Sequence, residues 1–215
     1  MALRTPARIL LGLAALASAA AMTASAAAPS AQAAALGISC PTPAAQTFAP
    51  FGDTNYYIPA PDSGFENRAT GWKLTGGAHV VTGNEPWGVG GAGQTQSLSL
   101  PAGSSATSPP MCIGLLSGGM RFFLQNAGAT ASGLRVQVIY NGGVGALLGG
   151  LTSTLKISDQ GTEYGGKAWA PSDDIVMTGG LLPLLTQSVQ FRFTPLSTGG
   201  NWRIDDVYLD PLMHR

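Results

Sequence analysis

The segment formed by residues 201–210 constrains the fold of this chain most strongly. It has the length and the residue types of a β-strand, and it contains an acidic pair, Asp205 and Asp206. Ile204 and Val207 are three residues apart, so strict alternation would place them on opposite faces of a sheet. Two explanations are open: both faces of the strand are buried, or a bulge changes the direction of the two acids. Residues 63–67 are the natural early partner of this strand.

Shorter runs with the same character fill the rest of the chain. Residues 96–100, 134–140 and 189–194 each alternate between apolar and polar side chains, which is the pattern of a half-buried strand. An Asn-Gly pair follows the second run and predicts a hairpin, with residues 151–157 returning antiparallel. No later window shows a helical period over three turns. About nine or ten short strands with Gly, Pro and Asn turns predict an all-β antiparallel sandwich.

The N-terminus has the features of a secretory signal peptide. Arg4 and Arg8 precede an apolar core over residues 9–22, and Ala-Gln-Ala at 31–33 offers a cleavage site, with 24–26 as an alternative. A membrane anchor is the other interpretation, but the apolar run is shorter than the roughly 20 residues of a spanning helix. We therefore expect a secreted product.

The predicted organisation of the chain is simple. Residues 1–33 form the signal peptide, residues 34–50 an Ala/Pro-rich lead-in, and residues 51–211 a single β-sandwich domain. No later segment is long and apolar enough to predict a transmembrane span in the mature chain.

Charge is sparse and balanced. The signal carries two of the 11 basic residues and none of the 11 acidic ones, which leaves 9 against 11, a net charge of −2. Nucleic-acid binding depends on Lys and Arg side chains that neutralise phosphates, so we do not expect a nucleic-acid partner.

The two cysteines, Cys40 and Cys112, both lie after the signal. In an exported chain a disulfide between them is the default expectation. Two free thiols or a metal site are the alternatives, and structural zinc normally needs four ligands. A bridge would close a loop of about 70 residues and contribute roughly 4 kcal/mol in the chain-entropy model.

Several short motifs together carry a family resemblance. They are Gly-Phe-Glu at 64–66, Gly-Trp-Lys-Leu at 71–74, Gly-Gly-Ala at 76–78 and Ile-Asp-Asp-Val-Tyr-Leu at 204–209. In this combination the chain resembles galactose-binding-like jelly-roll carbohydrate-binding modules. It resembles more closely small secreted actinobacterial proteins of unknown function with that fold. The resemblance implies a jelly roll, whereas folds of this kind host many functions.

The same resemblance implies a structural calcium ion. Its ligands would be Glu66 from the first strand and Asp205 or Asp206 from the last, since calcium prefers six to eight oxygen ligands. The alternative is that these acids face water or pair with Arg203 or Arg68. No other cofactor is implied.

Catalytic motifs are weak. Residues 88–93 match G-x-G-x-x-G, but an alternating segment follows where the dinucleotide motif needs a helix, so we predict a loop. The two histidines, His79 and His214, do not form a triad pattern, and His79 is predicted to be an ordinary strand residue. Glu85 and Glu163 are the acids of most interest for a glycosidase pair, with solvated loop acids as the favoured interpretation.

Aromatic residues in loops give the best candidate binding site. Trp87, Tyr164 and Trp169 lie in Gly-flanked stretches, where exposed rings could pack against the apolar faces of sugars. Strand aromatics such as Trp72, Phe122 and Phe191 are expected in the core instead.

These observations favour a secreted, non-catalytic β-sandwich protein that binds a polysaccharide or a cell-surface glycan. An extracellular structural or adhesive protein without a sugar site is the alternative. A small glycan-active enzyme is the least favoured class, because it would need a cleft with paired acids of perturbed pKa.

Overall fold

The computed structural model describes residues 45–113, 118–129, 132–141, 156–163, 165–177, 187–196 and 200–210. These residues all fall in one compact unit. Over the described ranges the secondary structure is β-strand, apart from one 3-10 turn at Ala49–Phe51, so the predicted all-β class is confirmed. None of the described residues belongs to a helix long and apolar enough to cross a membrane.

Thirteen strands are described. In chain order they are β1 (Ile58–Pro59), β2 (Lys73–Thr75), β3 (His79–Thr82), β4 (Gln96–Pro101), β5 (Ser105–Thr107), β6 (Met111–Ile113), β7 (Gly119–Asn126), β8 (Leu134–Asn141), β9 (Lys156–Glu163), β10 (Ala170–Pro171), β11 (Ile175–Val176), β12 (Gln187–Pro195) and β13 (Asn201–Asp210).

The strands form two antiparallel sheets that pack as a jelly-roll β-sandwich. The seven-stranded sheet has the order β10-β7-β13-β4-β3, with β1 also paired to β13 and β11 to β7. The six-stranded sheet has the order β2-β5-β12-β8-β9, with β6 also paired to β12. Strand β9 pairs antiparallel with β8, as the hairpin prediction requires, and residues 151–155 of the predicted return lie outside the described residues.

The main core lies between the two sheets. Alternate residues of β7 and β13, such as Phe122 and Trp202, face Phe191 and Phe193 of β12, and all four side chains are fully buried. Trp72 joins this core and donates its indole N–H to the carbonyl of Pro61 at 2.8 Å. The prediction that the strand aromatics are core residues is therefore confirmed.

A bulge interrupts the last strand at the acidic pair. Asp205 faces Phe123 in register and Tyr208 faces Arg121, so β13 has one more residue than β7 across this stretch. Within the bulge, Asp206 has a positive φ of +46°. The extra residue explains why Ile204 and Val207 are three positions apart and both face the core. Both explanations offered by the sequence hold, because β13 is also buried on its outer side.

Residues 63–67 do not form the strand that pairs with β13. The pairing segment is β1, where Ile58 faces Leu209. Ser63 contributes one backbone hydrogen bond, in which the N–H of Val207 donates to its carbonyl at 3.4 Å. Residues 61–67 consist mostly of turns. The predicted segment therefore lies beside the last strand without extending the sheet.

A second apolar cluster covers the outer side of the seven-stranded sheet. Its buried members are Phe48, Tyr57, Phe123 and Tyr208, and we call it the outer aromatic cluster. The ring of Phe48 stacks on Phe123 at a centroid distance of 5.4 Å and meets Tyr57 edge-on at 5.0 Å. Phe48 belongs to the predicted lead-in, so the packed structure includes at least part of that segment.

The two aromatic layers make a specific prediction about neighbouring residues of β7. Phe122→Ala and Phe123→Ala are each expected to destabilise the protein by about 3–5 kcal/mol, because both rings are fully buried on opposite faces of one strand. Urea denaturation measures this, with Thr82→Ala on the exposed end of β3 as the control. A near-neutral Phe123→Ala would show that the outer face of the sheet is not covered.

Candidate functional site

A polar groove of about 360 Å³ crosses the outer face of the six-stranded sheet. Strands β2, β5, β8 and β12 and the turn before β5 contribute its lining. The lining residues are Lys73, Thr75, Gly103, Ser104, Ser105, Thr107, Gln137, Arg192 and Thr194. We call this surface the polar groove.

Strand register brings the lining residues together. Thr107 faces Lys73 on one side and Arg192 on the other, and Arg192 in turn faces Gln137. Residues in register across neighbouring strands lie side by side on the same face of a sheet. One row of side chains therefore crosses four strands, from a lysine through a threonine and an arginine to a glutamine.

Local hydrogen bonds fix the wall of the groove. The hydroxyls of Thr75 and Ser105 are 2.8 Å apart across β2 and β5, and the Arg192 Nε donates to Thr107 Oγ1 at 3.2 Å. The turn at Gly103 approaches Gly76 closely, because a Cβ atom on Gly76 would lie 2.3 Å from the Gly103 carbonyl oxygen.

The charge of the groove has one sign. Lys73 and Arg192 are its ionisable residues, and the lining includes neither a carboxylate nor an aromatic ring. The hydroxyl and amide groups can donate and accept hydrogen bonds and the two cations can donate them, whereas the lining has no aromatic ring to stack on a sugar. The chemistry that the groove offers is therefore polar recognition.

The predicted aromatic site lies on the opposite sheet. Trp87 is 47% exposed, and its ring is 5.1 Å from Phe51 and 5.3 Å from Phe123 between centroids. Trp169 is partly buried against the outer aromatic cluster, with the Arg203 guanidinium 5.7 Å from the centre of its ring. Two of the three predicted residues thus contact one cluster. Tyr164 lies outside the described residues, and the role of all three stays a prediction.

The loop that carries Trp87 is held by the acids of the β13 bulge. The N–H of Glu85 donates to Asp205 Oδ2 at 3.0 Å. The N–H of Gly90 and the side-chain amide of Gln94 donate to the two oxygens of Asp206, each at 3.0 Å. The bulge therefore directs both carboxylates at the backbone of residues 83–95.

Glu85 forms the inner support of the same loop. Its carboxylate accepts hydrogen bonds from the N–H groups of Trp87 and Val89, at 2.5 and 2.6 Å, and the residue is only 1% exposed. The prediction of a solvated loop acid is wrong for Glu85. The loop folds around the Glu85 carboxylate, because a buried carboxylate needs hydrogen-bond donors and the loop backbone supplies them.

Burial perturbs the ionisation of the two aspartates of the bulge. Burial, together with the negative charge of Asp206, raises the pKa of Asp205 to about 8. Burial raises the pKa of Asp206 to about 6, and the charge of Glu85 contributes to this increase. The sequence did not indicate which residue converges on the acidic pair. In the structure that residue is Glu85.

The predicted calcium ligands each accept hydrogen bonds from the protein. Glu66 accepts hydrogen bonds from the N–H groups of Thr95 and Gln96, at 2.6 and 2.7 Å. Asp205 and Asp206 bond the 83–95 loop, so they neither face water nor pair with Arg203, as the alternative supposed. Within the described ranges no three His, Cys, Asp or Glu side chains form a group that could hold a metal ion. Calcium therefore stays a prediction from sequence.

The other motifs have structural roles or remain open. Residues 88–93 form turns that lead into β4, so the prediction of a loop rather than a dinucleotide motif is confirmed. A Cβ on Gly90 would lie 2.4 Å from Asp206 Oδ1, which explains a glycine there. His79 begins β3 and contacts the Gly77 carbonyl. Cys40 lies outside the described residues, so the Cys40–Cys112 disulfide stays a prediction.

Comparison with known proteins supports the fold class. No family model and no curated protein matches the chain. Among solved structures, a Clostridium thermocellum endo-1,4-beta-D-xylanase 10B fragment with CBM22-1 and GH10 modules, complexed with xylohexaose, matches with a TM-score of 0.53 and 16% identity. The match covers 75% of this chain and 29% of that one.

Single modules give weaker matches. The CBM22-1 xylan-binding domain of Paenibacillus barcinonensis has a TM-score of 0.48 and 12% identity, over 73% of this chain and 94% of that one. The family 11 module of Clostridium thermocellum has a TM-score of 0.40 and 15% identity, over 74% and 98%. The match to the xylanase fragment agrees with the two-sheet jelly-roll β-sandwich of this chain. The resemblance to small actinobacterial proteins stays a prediction.

Sequence reasoning missed the polar groove. The alternation of β12 already places Arg192 and Thr194 opposite the core residues Phe191 and Phe193. The neighbours of β12 are distant in sequence, however, and only the register of β2, β5 and β8 brings Lys73 beside them. The charge and the alternation of these residues can be read from the sequence, whereas the order of the strands in the sheet cannot.

The buried acids predict an unusual dependence of stability on pH. Asp205 and Asp206 have pKa values raised above 3.8, so the folded state binds more protons than the unfolded state between about pH 4 and pH 8. The free energy of unfolding is therefore expected to fall as pH rises through this window, by at least about 1 kcal/mol. Urea denaturation at pH 5 and pH 8, in the presence of EDTA, measures this.

A matched pair of variants tests the cause. Asp205→Asn is expected to flatten the pH dependence, whereas Asp62→Asn, which removes an acid in a turn away from this cluster, is expected to leave it unchanged. Stability that rises with pH over the same range would contradict the account, since it would mean that the carboxylates are stabilised as anions.

Proposed function

We propose that this chain is a secreted, non-catalytic glycan-binding protein, and that the polar groove is its binding site. The groove itself carries the proposal. It is an open trough of about 360 Å³ in which hydroxyl, amide and cationic side chains converge from four strands. That volume lies in the range of small-ligand sites, which is about 300–1,000 Å³.

The rigid position of the groove favours binding. Its side chains stand on paired strands, and the Arg192–Thr107 and Thr75–Ser105 hydrogen bonds restrict their rotamers before any ligand arrives. Side chains ordered in advance lose less conformational entropy on binding, so more of the contact energy appears as affinity.

One solved neighbour supports the choice of ligand class. The xylanase fragment with this fold was solved with xylohexaose, a linear sugar chain. At 16% identity the likeness covers the fold alone. The proposal of a glycan ligand for this chain therefore depends on the groove.

The positions of the acids favour a non-catalytic role. Glycoside hydrolysis needs two carboxyl groups on either side of an accessible glycosidic bond. The groove lining contains no acid, and Glu85, Asp205 and Asp206 are at most 1% exposed and bond the loop backbone. These three acids are therefore structural supports rather than an acid–base pair.

The exposed ring of Trp87 is a second candidate surface. Trp87 projects from the outer aromatic cluster on the seven-stranded sheet, where an apolar sugar face or an envelope partner could pack against it. A structural or adhesive protein would use this surface and not the groove, so the two functions are separable by mutation.

Blocking each surface in turn decides between them. Thr194→Trp places a large side chain in the groove and is expected to abolish retardation of the protein in polysaccharide-containing native gels, whereas Trp87→Ala is expected to retain it. Thr82→Trp adds the same side chain on the other sheet and serves as the control. Thermal melting checks that each variant folds.

The opposite pattern would relocate the site. Loss of retardation in Trp87→Ala with retention in Thr194→Trp would assign binding to the Trp87 surface. A wild-type protein that no polysaccharide in a broad panel retards would contradict glycan binding itself and would favour the structural alternative.

Calcium binding is a separate proposal that depends on the sequence resemblance. If Glu66 and Asp205 or Asp206 hold a calcium ion, adding Ca²⁺ to EDTA-treated protein should raise the melting temperature, because an ion that binds only the folded state stabilises it. Mg²⁺ at equal ionic strength is the control. An unchanged melting temperature would contradict the proposal.

A further inference from the structure

We propose that the polar groove selects acidic glycans, whose sugars carry carboxylate or phosphate groups, over neutral ones. This inference rests on the proposed function and specifies its ligand. It follows from the charge, the partners and the spacing of the cations in the groove.

The two cations of the groove have no protein carboxylate beside them. Lys73 is exposed on β2 without an ion-pair partner within the described part of the chain. Arg192 uses its Nε on Thr107, and its two terminal amino groups make no bond to a described residue. The groove lining itself includes no acid, so both of its charged side chains are positive.

Two arginines of the seven-stranded sheet, Arg121 and Arg203, bond other parts of the protein. Arg121 pairs with Asp53 at 2.9 Å and donates twice to the carbonyl of Ser172. Arg203 donates to the carbonyls of Thr82 and Gly83 and supports the 83–95 loop. By contrast, Lys73 and the two terminal amino groups of Arg192 donate no hydrogen bond to a described residue. The polar groove therefore holds two cations whose terminal donors face no carboxylate of its lining.

The lining determines which sugars can bind well. Neutral glycans usually need an aromatic surface to stack on, and the groove has none. Neutral hydrogen bonds merely replace bonds to water, so they add little net affinity. Bonds between a cation and an anionic oxygen are roughly twice as strong, and a guanidinium matches carboxylate and phosphate groups in a two-pronged geometry.

The spacing suits a chain with repeated charges. Lys73 and Arg192 lie in register on either side of Thr107, so their strands are two spacings apart, roughly 9.5 Å. The two cations can therefore contact separate anionic groups of one polymer, while the Thr107 hydroxyl and the Gln137 amide lie in the same row for sugar hydroxyls.

A polymer pair that differs only in charge tests the inference. Polygalacturonate and its carboxyl-reduced form share one backbone, and a phosphomannan tests phosphate as the source of charge. Isothermal titration calorimetry should give a Kd at least about tenfold tighter for one or both charged polymers than for the reduced form and for xylan. The difference should shrink as NaCl is raised, because salt screens exposed charges.

Charge-matched variants assign the effect to the groove. Lys73→Gln with Arg192→Gln should weaken binding of the charged polymer by at least about tenfold and leave xylan unchanged. The control, Arg68→Gln with Lys167→Gln, removes the same charge outside the groove and should bind like the wild type. Thermal melting confirms that both double variants fold.

Each result has a distinct meaning. Tighter binding to a charged polymer, lost in the groove variant and kept in the control, supports the inference. Equal or tighter binding of the neutral polymers overturns it and leaves glycan binding intact. Equal losses in both double variants also overturn it, since they would reflect net charge alone. Failure of every polymer to bind overturns the proposed function together with this inference.

Discussion

The bulge in strand β13 is the constraint on which much of this structure depends. β13 lies inside the seven-stranded sheet and pairs with β1, β4 and β7. The inserted Asp206 lets Ile204 and Val207 both enter the core while Asp205 and Asp206 leave it on the other side. A regular strand would have sent one of the two apolar residues outwards. The two carboxylates hold the loop over residues 83–95, because they accept hydrogen bonds from the N–H groups of Glu85 and Gly90 and from the Gln94 side chain.

The sandwich divides its two outer faces between different tasks. The outer side of the seven-stranded sheet is closed by the outer aromatic cluster and by the acid-supported loop, with Trp87 as the exposed ring. Over the described residues, the outer side of the six-stranded sheet presents the polar groove, whose lining holds Lys73 and Arg192 and no carboxylate. Both faces rest on one apolar core, so the side chains of the groove can change without loss of the fold. That separation makes the groove a suitable place for ligand selectivity.

The sequence predicted the fold well and the site poorly, for a physical reason. Alternation within β12 and the irregular spacing from Ile204 to Val207 are local patterns, and the structure confirms both strand character and bulge. Burial of Glu85 could not be read locally, since it depends on Asp205, which is 120 residues away in the chain. The groove likewise depends on the order β2-β5-β12-β8, which joins distant segments. Strand pairing is set by the whole chain, so sites built across strands are the least visible in sequence.

We propose that a sugar chain binds across the six-stranded sheet and not beside Trp87. An NMR titration of isotope-labelled protein with a defined oligogalacturonate measures this directly, since backbone amide shifts report contact residue by residue. If the sugar chain binds in the groove, the amide shifts are expected to centre on Lys73, Thr107 and Arg192, with the amides of residues 83–95 unchanged. Shifts confined to residues 83–95, with the groove amides unchanged, would contradict it.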